Sequence, residues 1–160
     1  MRKDLAIGKV GEDSVIKALR RAKLSAKRNS KKENRSYYDI ESEIGNVPFT
    51  IEVKNDLYAS KSGNIAIEIH NPRSNKKSGL SITKSDIWAH IVDSQLWVTK
   101  TKDLRKFVKT NKPVRQVDFA GDGNANLLLF KTEDILPSIF FRIDHLKGTE
   151  INTLIKRLIS

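Results

Sequence analysis

A mixed α/β fold (α+β mixed), with a central mixed β-sheet flanked by helices, is what this sequence predicts, and three observations carry it. Residues 37–54 alternate apolar and polar on either side of Gly45-Asn46, the pattern of a tight β-hairpin. Val15, Ile16 and Leu19 recur at helical spacing ahead of it. Beyond it the patterns run strand, helix, strand, giving helix, three strands, helix, strand in all.

The first helix is predicted over residues 8–23. Residues 24–36 are polar and basic and read as a mobile loop leading into the hairpin. After the hairpin, 55–63 is a turn-rich connection, and Ile65, Ile67 and Ile69 alternate with Ala66, Glu68 and His70 as a third strand. Following a polar loop at 71–80, Thr83-Lys-Ser-Asp86 resembles a capping box, so Ile87, Trp88 and Ile91 are placed on a short helix ending near 92. Residues 95–99 read as a strand and 102–111 as a helix stopped near Pro113. Residues 114–119 and 127–131 flank a Gly/Asn-rich turn as a second hairpin, and 139–143 is a strand candidate. A final helix from Thr149 carries Ile151, Leu154, Ile155, Leu158 and Ile159 as one apolar stripe, expected in the core. Without a linker or repeat, residues 1–160 are expected to form one domain.

The first hairpin concentrates the chemistry. With Gly45-Asn46 as a two-residue loop, Ile44 lies opposite Val47 and Asp39 opposite Glu52. Tyr38, Ile40, Ile44, Val47, Phe49, Ile51 and Val53 then share one face, and Asp39, Glu41, Glu43, Thr50, Glu52 and Lys54 the other. A one-residue slip would put the apolar row in water, which fixes the register. Two carboxylates across a ladder repel unless a positive charge lies between them. Mg²⁺ suits that place, since it takes one or two protein carboxylates and keeps several waters. Lys54, two residues past Glu52, adds an ammonium on the same face. A solvated hairpin face is the competing reading, though such faces usually set opposite charges across the ladder.

Asp39 followed by Glu52-Val53-Lys54 resembles the PD-(D/E)XK nuclease superfamily, whose signature is an acid, a hairpin, then Glu or Asp, any residue, and Lys. Tyr38 stands where the family has Pro. The order of elements over about the first 100 residues agrees with the family's restriction-endonuclease-like αβββαβ core. The resemblance implies a Mg²⁺-dependent DNA endonuclease, with Mn²⁺ able to substitute, in which Asp39, Glu52 and the Val53 carbonyl hold metal and Lys54 serves the chemistry. It also implies a contribution from Glu12, on the first helix, which otherwise reads as an acid complementing the helix dipole. Glu68 is an additional candidate. Small Holliday-junction resolvases and homing endonucleases are similar in size and layout, which implies branched or site-specific duplex DNA as substrate and a homodimer or higher oligomer.

Thirty Lys and Arg against nineteen Asp and Glu give a formal charge of +11, with a pI near 9.9. The excess is clustered at Arg20, Arg21, Lys23, Lys27, Arg28, Lys31, Lys32 and Arg35, again from Lys100 to Arg115, and at Arg73, Lys76, Lys77 and Lys84. Such stretches neutralise phosphates and release counterions, so nucleic acid is the expected partner. From these, Arg20, Lys27, Arg28, Lys31, Lys32, Arg35, Arg73, Lys76, Lys77 and Lys84 are the candidate phosphate-binding residues.

The absence of cysteine excludes disulfides and thiolate zinc sites. No signal peptide and no membrane span are apparent, so an intracellular, soluble protein, cytoplasmic or nucleoid-associated, is expected. Asp122, Asn124, Asn126 and Glu133 match ligand positions of a calcium loop, but Leu127 stands where that loop needs glycine. His70-Asn71-Pro72 hints weakly at a His-metal nuclease. The alternative functions are a non-catalytic DNA- or RNA-binding protein with a nuclease-like fold, and a structural or ribosome-associated basic protein.

Overall fold

The computed structural model describes residues 2–30 and 37–160. Its helices are α1 (Arg2–Arg21), α2 (Ala59–Ser62), α3 (Thr101–Thr110), α4 (Thr132–Ile139) and α5 (Gly148–Ile159). Its strands are β1 (Lys27–Arg28), β2 (Ile40–Ile44), β3 (Val47–Asp56), β4 (Asn64–Asn71), β5 (Lys76–Lys77), β6 (Ile87–Val92), β7 (Gln95–Lys100), β8 (Arg115–Ala120), β9 (Ala125–Lys131) and β10 (Phe141–Arg142). The central sheet has six strands in the order β1-β2-β3-β6-β7-β10. It is mixed, since β3 and β6 run parallel and the other pairs antiparallel. A second sheet, β5-β4-β9-β8, is formed by the chain between β3 and β6 together with the later hairpin.

The hairpin register is the expected one: Ile44 faces Val47 and Ile40 faces Ile51. Gly45 and Asn46 both have positive φ, the requirement of a type I′ turn, which Gly and Asn meet at least cost. Alternation along β3 and β6 then divides the core. Ile51 and Val53, with Ile87, Ala89 and Ile91, face a cluster built with Leu19 of α1 and Ile151 and Ile155 of α5. Trp88 and Val92 face the opposite cluster, with Ile65 and Ile67 of β4, Leu104 of α3, Phe130 of β9 and Ile135 of α4. Helices α1 and α5 thus cover one face of the central sheet, and the second sheet with α3 and α4 covers the other. The stripe on α5 is core, as expected.

Several elements differ from the sequence expectation. The first helix begins at Arg2, six residues earlier than expected. The loop expected at 24–36 contains β1, which pairs with β2. Residues 87–92, expected to be helical, are the buried strand β6, and Asp86 caps no helix. Its backbone N–H donates to Thr50 O, and its Oδ2 accepts the Thr50 N–H. The strand expected at 65–70 is present as β4 but belongs to the second sheet. Its fit against the next turn requires glycine: a Cβ on Gly79, where φ is +52°, would meet the Glu68 carbonyl. Helix α4 was not expected, and the strand expected at 139–143 is confined to β10 because Ile139 ends that helix. Among the described residues, no helix is long and apolar enough to cross a membrane.

Candidate active site

The site forms just before β2 begins, where β3 continues past it. Asp39 extends the ladder by one last bond, its N–H donating to Ile51 O at 2.9 Å. The next β3 amide on that edge, Val53 N–H, donates instead to Asp39 Oδ2 at 2.8 Å. A side-chain carboxylate therefore takes the place of the missing strand. In an extended strand, N–H and C=O of one residue point to the same edge, so the Val53 carbonyl also faces the edge that β2 has left. Asp39, Glu52, Val53 and Lys54 are brought together as the hairpin register requires.

Glu52 is buried, at 6 % exposure. Its Oε1 lies 3.1 Å from Lys54 Nζ, and its Oε2 lies 3.4 Å from the Thr83 hydroxyl. That hydroxyl donates to Tyr37 O at 2.7 Å, tying the chain before β2 to the chain before β6. Burial and the Glu52 charge push the Asp39 carboxyl up to about 7, against the Val53 N–H and the Lys54 ammonium, which lower it; Glu12 adds a further push upward. Asp39 thus lies beside the Glu52 charge with too little positive charge nearby to offset it, which is the electrostatic setting a divalent cation relieves. Burial pushes the Lys54 ammonium down, but Glu52, Glu68 and Asp39 together hold it above the ordinary lysine range.

Among the described residues, no set of three or more His, Asp or Glu converges tightly enough to hold a metal by itself. Two carboxylates and a main-chain carbonyl nevertheless suit Mg²⁺, which retains waters for its remaining positions.

Glu12 lies in the middle of α1, so it does not complement that helix's dipole. It accepts from Arg28 Nε at 2.7 Å, and Arg28 also pairs with Asp13. Arg28, a candidate phosphate ligand from the sequence, is thus ion-paired to two acids within the fold. Arg105, in the second basic cluster, is likewise engaged, donating to the carbonyls of Leu80 and Thr83. Arg20 and Lys27 are exposed, as are Lys76 and Lys77 on β5. Arg73 donates to the Asp122 carbonyl. Lys84 Nζ rests 4.2 Å from the centre of the Tyr37 ring, beside the Thr83 bridge. Lys31, Lys32 and Arg35 lie outside the described residues.

On the far side of Lys54, a cleft of about 240 Å³ is lined by Lys54, Asp56, Ala66, Glu68, His90 and Leu127, among others. Glu68, on β4 of the second sheet, lines this cleft and acts on the Lys54 ammonium through its charge. Sequence reasoning missed Asp56 and His90. His90 pairs with Lys54 in the parallel ladder and is fully buried. Its Nε2 lies 3.0 Å from Asp56 Oδ2, and its Nδ1 accepts the Trp88 indole N–H at 3.1 Å. Asp56 also accepts the N–H groups of Ala66 (2.9 Å) and Ala59 (3.2 Å), tying β3 to β4. Burial pushes its carboxyl up, but these hydrogen bonds, His90 first, outweigh it and hold the group below the usual carboxylate range. A buried His-Asp pair beside Lys54 becomes visible only once β6 is a strand.

No protein-family model matches the sequence, and no curated protein is significantly similar to it. In structure the chain is similar to a bacterial homing endonuclease, I-Ssp6803I. The TM-score is 0.46 and the identity 16 %, over 68 % of this chain and 77 % of that one.

Proposed function

We propose that this chain is a metal-dependent endodeoxyribonuclease of the PD-(D/E)XK type, hydrolysing phosphodiester bonds in branched or site-specific duplex DNA. The observation that carries the reading is the convergence of Asp39 and Glu52, with Lys54 alongside, at the β3 edge beyond the start of β2. Asp39, Glu52 and the Val53 carbonyl hold Mg²⁺, for which Mn²⁺ substitutes. When bound, such an ion supplies Lewis-acid charge to a phosphate oxygen and makes hydroxide available near neutrality. Lys54 orients the attacking water or offsets charge building on the phosphoryl oxygens. Glu68 and Glu12 shape the field around Lys54 and Asp39, and Glu12 keeps Arg28 beside the site. Lys84, Lys76 and Lys77 grip phosphates without reading bases. A homodimer or higher oligomer fits a two-strand cut, since each copy offers one such site.

Incubating the protein with linear, supercoiled and four-way-junction DNA, with and without Mg²⁺, tests this. Cleavage that requires Mg²⁺ is expected, and Lys54→Ala is expected to bind DNA as the parent does while cutting at least a hundredfold more slowly, in the range of a lost electrostatic group (about 10²–10³). Equal cutting by variant and parent removes Lys54 from the chemistry. A second reading rests on the Lys54–Glu52 ion pair, which satisfies both groups without metal: a non-catalytic DNA- or RNA-binding protein. It predicts salt-sensitive binding and no nicking in either metal.

A further inference from the structure

Trp88, His90 and Asp56 form a hydrogen-bonded chain that the proposed chemistry does not use, running from the apolar cluster between the two sheets, to which Trp88 belongs, to the lining of the cleft at Asp56. Trp88 and His90 are both fully buried. An indole N–H can only donate, so His90 Nδ1 must be the acceptor. The imidazole proton then sits on Nε2 and is donated to Asp56 Oδ2. Every polar atom of the chain is thereby assigned a direction. Its outer end is the Trp88 ring, over which Lys54 Nζ lies, 5.9 Å from the centroid, within the reach of a cation–π contact. Lys54 also neighbours His90 in the strand ladder, as Glu52 neighbours Trp88. Apolar residues would fill this space without any such constraint, and a half-satisfied buried network is costly.

We propose that His90 is a positioning residue for Lys54: by accepting the Trp88 indole N–H it sets the plane of the ring on which the ammonium rests, while Asp56 fixes the tautomer that allows it. The inference rests on the nuclease reading for its effect on cleavage, but not for its effect on Lys54 itself. The two His90 contacts can be separated, because an Asn amide oxygen imitates Nδ1 and a Gln amide nitrogen imitates Nε2. His90→Asn keeps the acceptor for Trp88, whereas His90→Gln keeps the donor to Asp56 and loses Trp88.

The primary measurement is the NMR shift of the Lys54 ε-methylene protons in the protein free of metal and DNA, where the Trp88 ring current moves them upfield. His90→Asn is expected to retain this displacement, and His90→Gln to lose it. Single-turnover cleavage in Mg²⁺ is expected to stay within about threefold of the parent in His90→Asn and to fall about tenfold in His90→Gln, with DNA affinity unchanged in both. Should His90→Gln fail to fold, His90→Leu removes the same acceptor while leaving the Trp88 ring in place. A Lys54 displacement that survives His90→Gln or His90→Leu overturns the proposal. So does one lost equally in Asn and Gln variants in step with their melting temperatures. A parent that shows the displacement but never cuts DNA sinks the nuclease reading and leaves the positioning of Lys54 standing.

Discussion

Asp39 is where a single side chain decides most. Its carboxyl is pushed up to about 7 by burial and by Glu52. Because the folded value lies above the ordinary one, the native state binds the extra proton between about pH 4 and 7, and stability falls as pH rises through that window. The metal-free protein is therefore expected to be most stable below about pH 4 as far as this group is concerned, and to level off above pH 7. Each unit of displacement corresponds to about 1.4 kcal/mol. Mg²⁺ is expected to recover stability at pH 8 and to do little at pH 5, where it competes with the proton. Asp39→Asn keeps an acceptor for the Val53 N–H and removes the charge, so it should flatten the pH slope and abolish the Mg²⁺ response. Denaturant unfolding of both proteins from pH 4 to 8, with and without Mg²⁺, checks this; a parent with no slope contradicts it. That Asp39, Glu52 and Lys54 share a site was legible because a two-residue turn and strict alternation leave one register. That His90 stands behind Lys54 was not, because its neighbour in sequence pattern was a helix.

At the scale of the element, residues 87–92 carry the main misreading, and its cause is physical. All six are buried, so the run shows no alternation, and a short continuous apolar run is equally a central strand or a buried helix turn. The decisive signal was Asp93-Ser94. Both have positive φ, closing a hairpin between β6 and β7 without a glycine. Hairpin turns of this kind are usually recognised by Gly at the second position, and Ser94 stands there instead. The missing glycine yields a prediction. A non-glycine residue in the left-handed region costs about 1–2 kcal/mol, so Ser94→Gly should raise the melting temperature by about 2–4 °C per kcal/mol for a chain of this size. Mg²⁺ dependence should be unaltered, since the turn lies at the far end of β6 from Glu52. A melting temperature that falls would mean that the Ser94 side chain makes a contact outweighing the backbone cost.

Across the whole molecule, alternation identifies strands but does not name their partners, which is why the second sheet was not legible: β4 pairs with β9, some sixty residues later. The same assembly decides which of the thirty basic residues are available to a polyanion. Arg28 is spent on Glu12 and Asp13, and Arg105 on two carbonyls, whereas Lys76 and Lys77 stand exposed on β5 beside the strand that carries Glu68. Counterion release makes this distinction measurable, because each phosphate neutralised adds about 0.9 to the slope of log affinity against log salt. Lys76→Ala together with Lys77→Ala should therefore lower the magnitude of that slope by about 2 units on duplex DNA. Arg28→Gln should leave the slope unchanged and instead lower the stability of the protein, since it strips Glu12 and Asp13 of their partner. Titrations at four or five salt concentrations separate the two cases. A slope reduced by Arg28→Gln and indifferent to the β5 lysines would place the phosphate backbone along α1 and β1 instead.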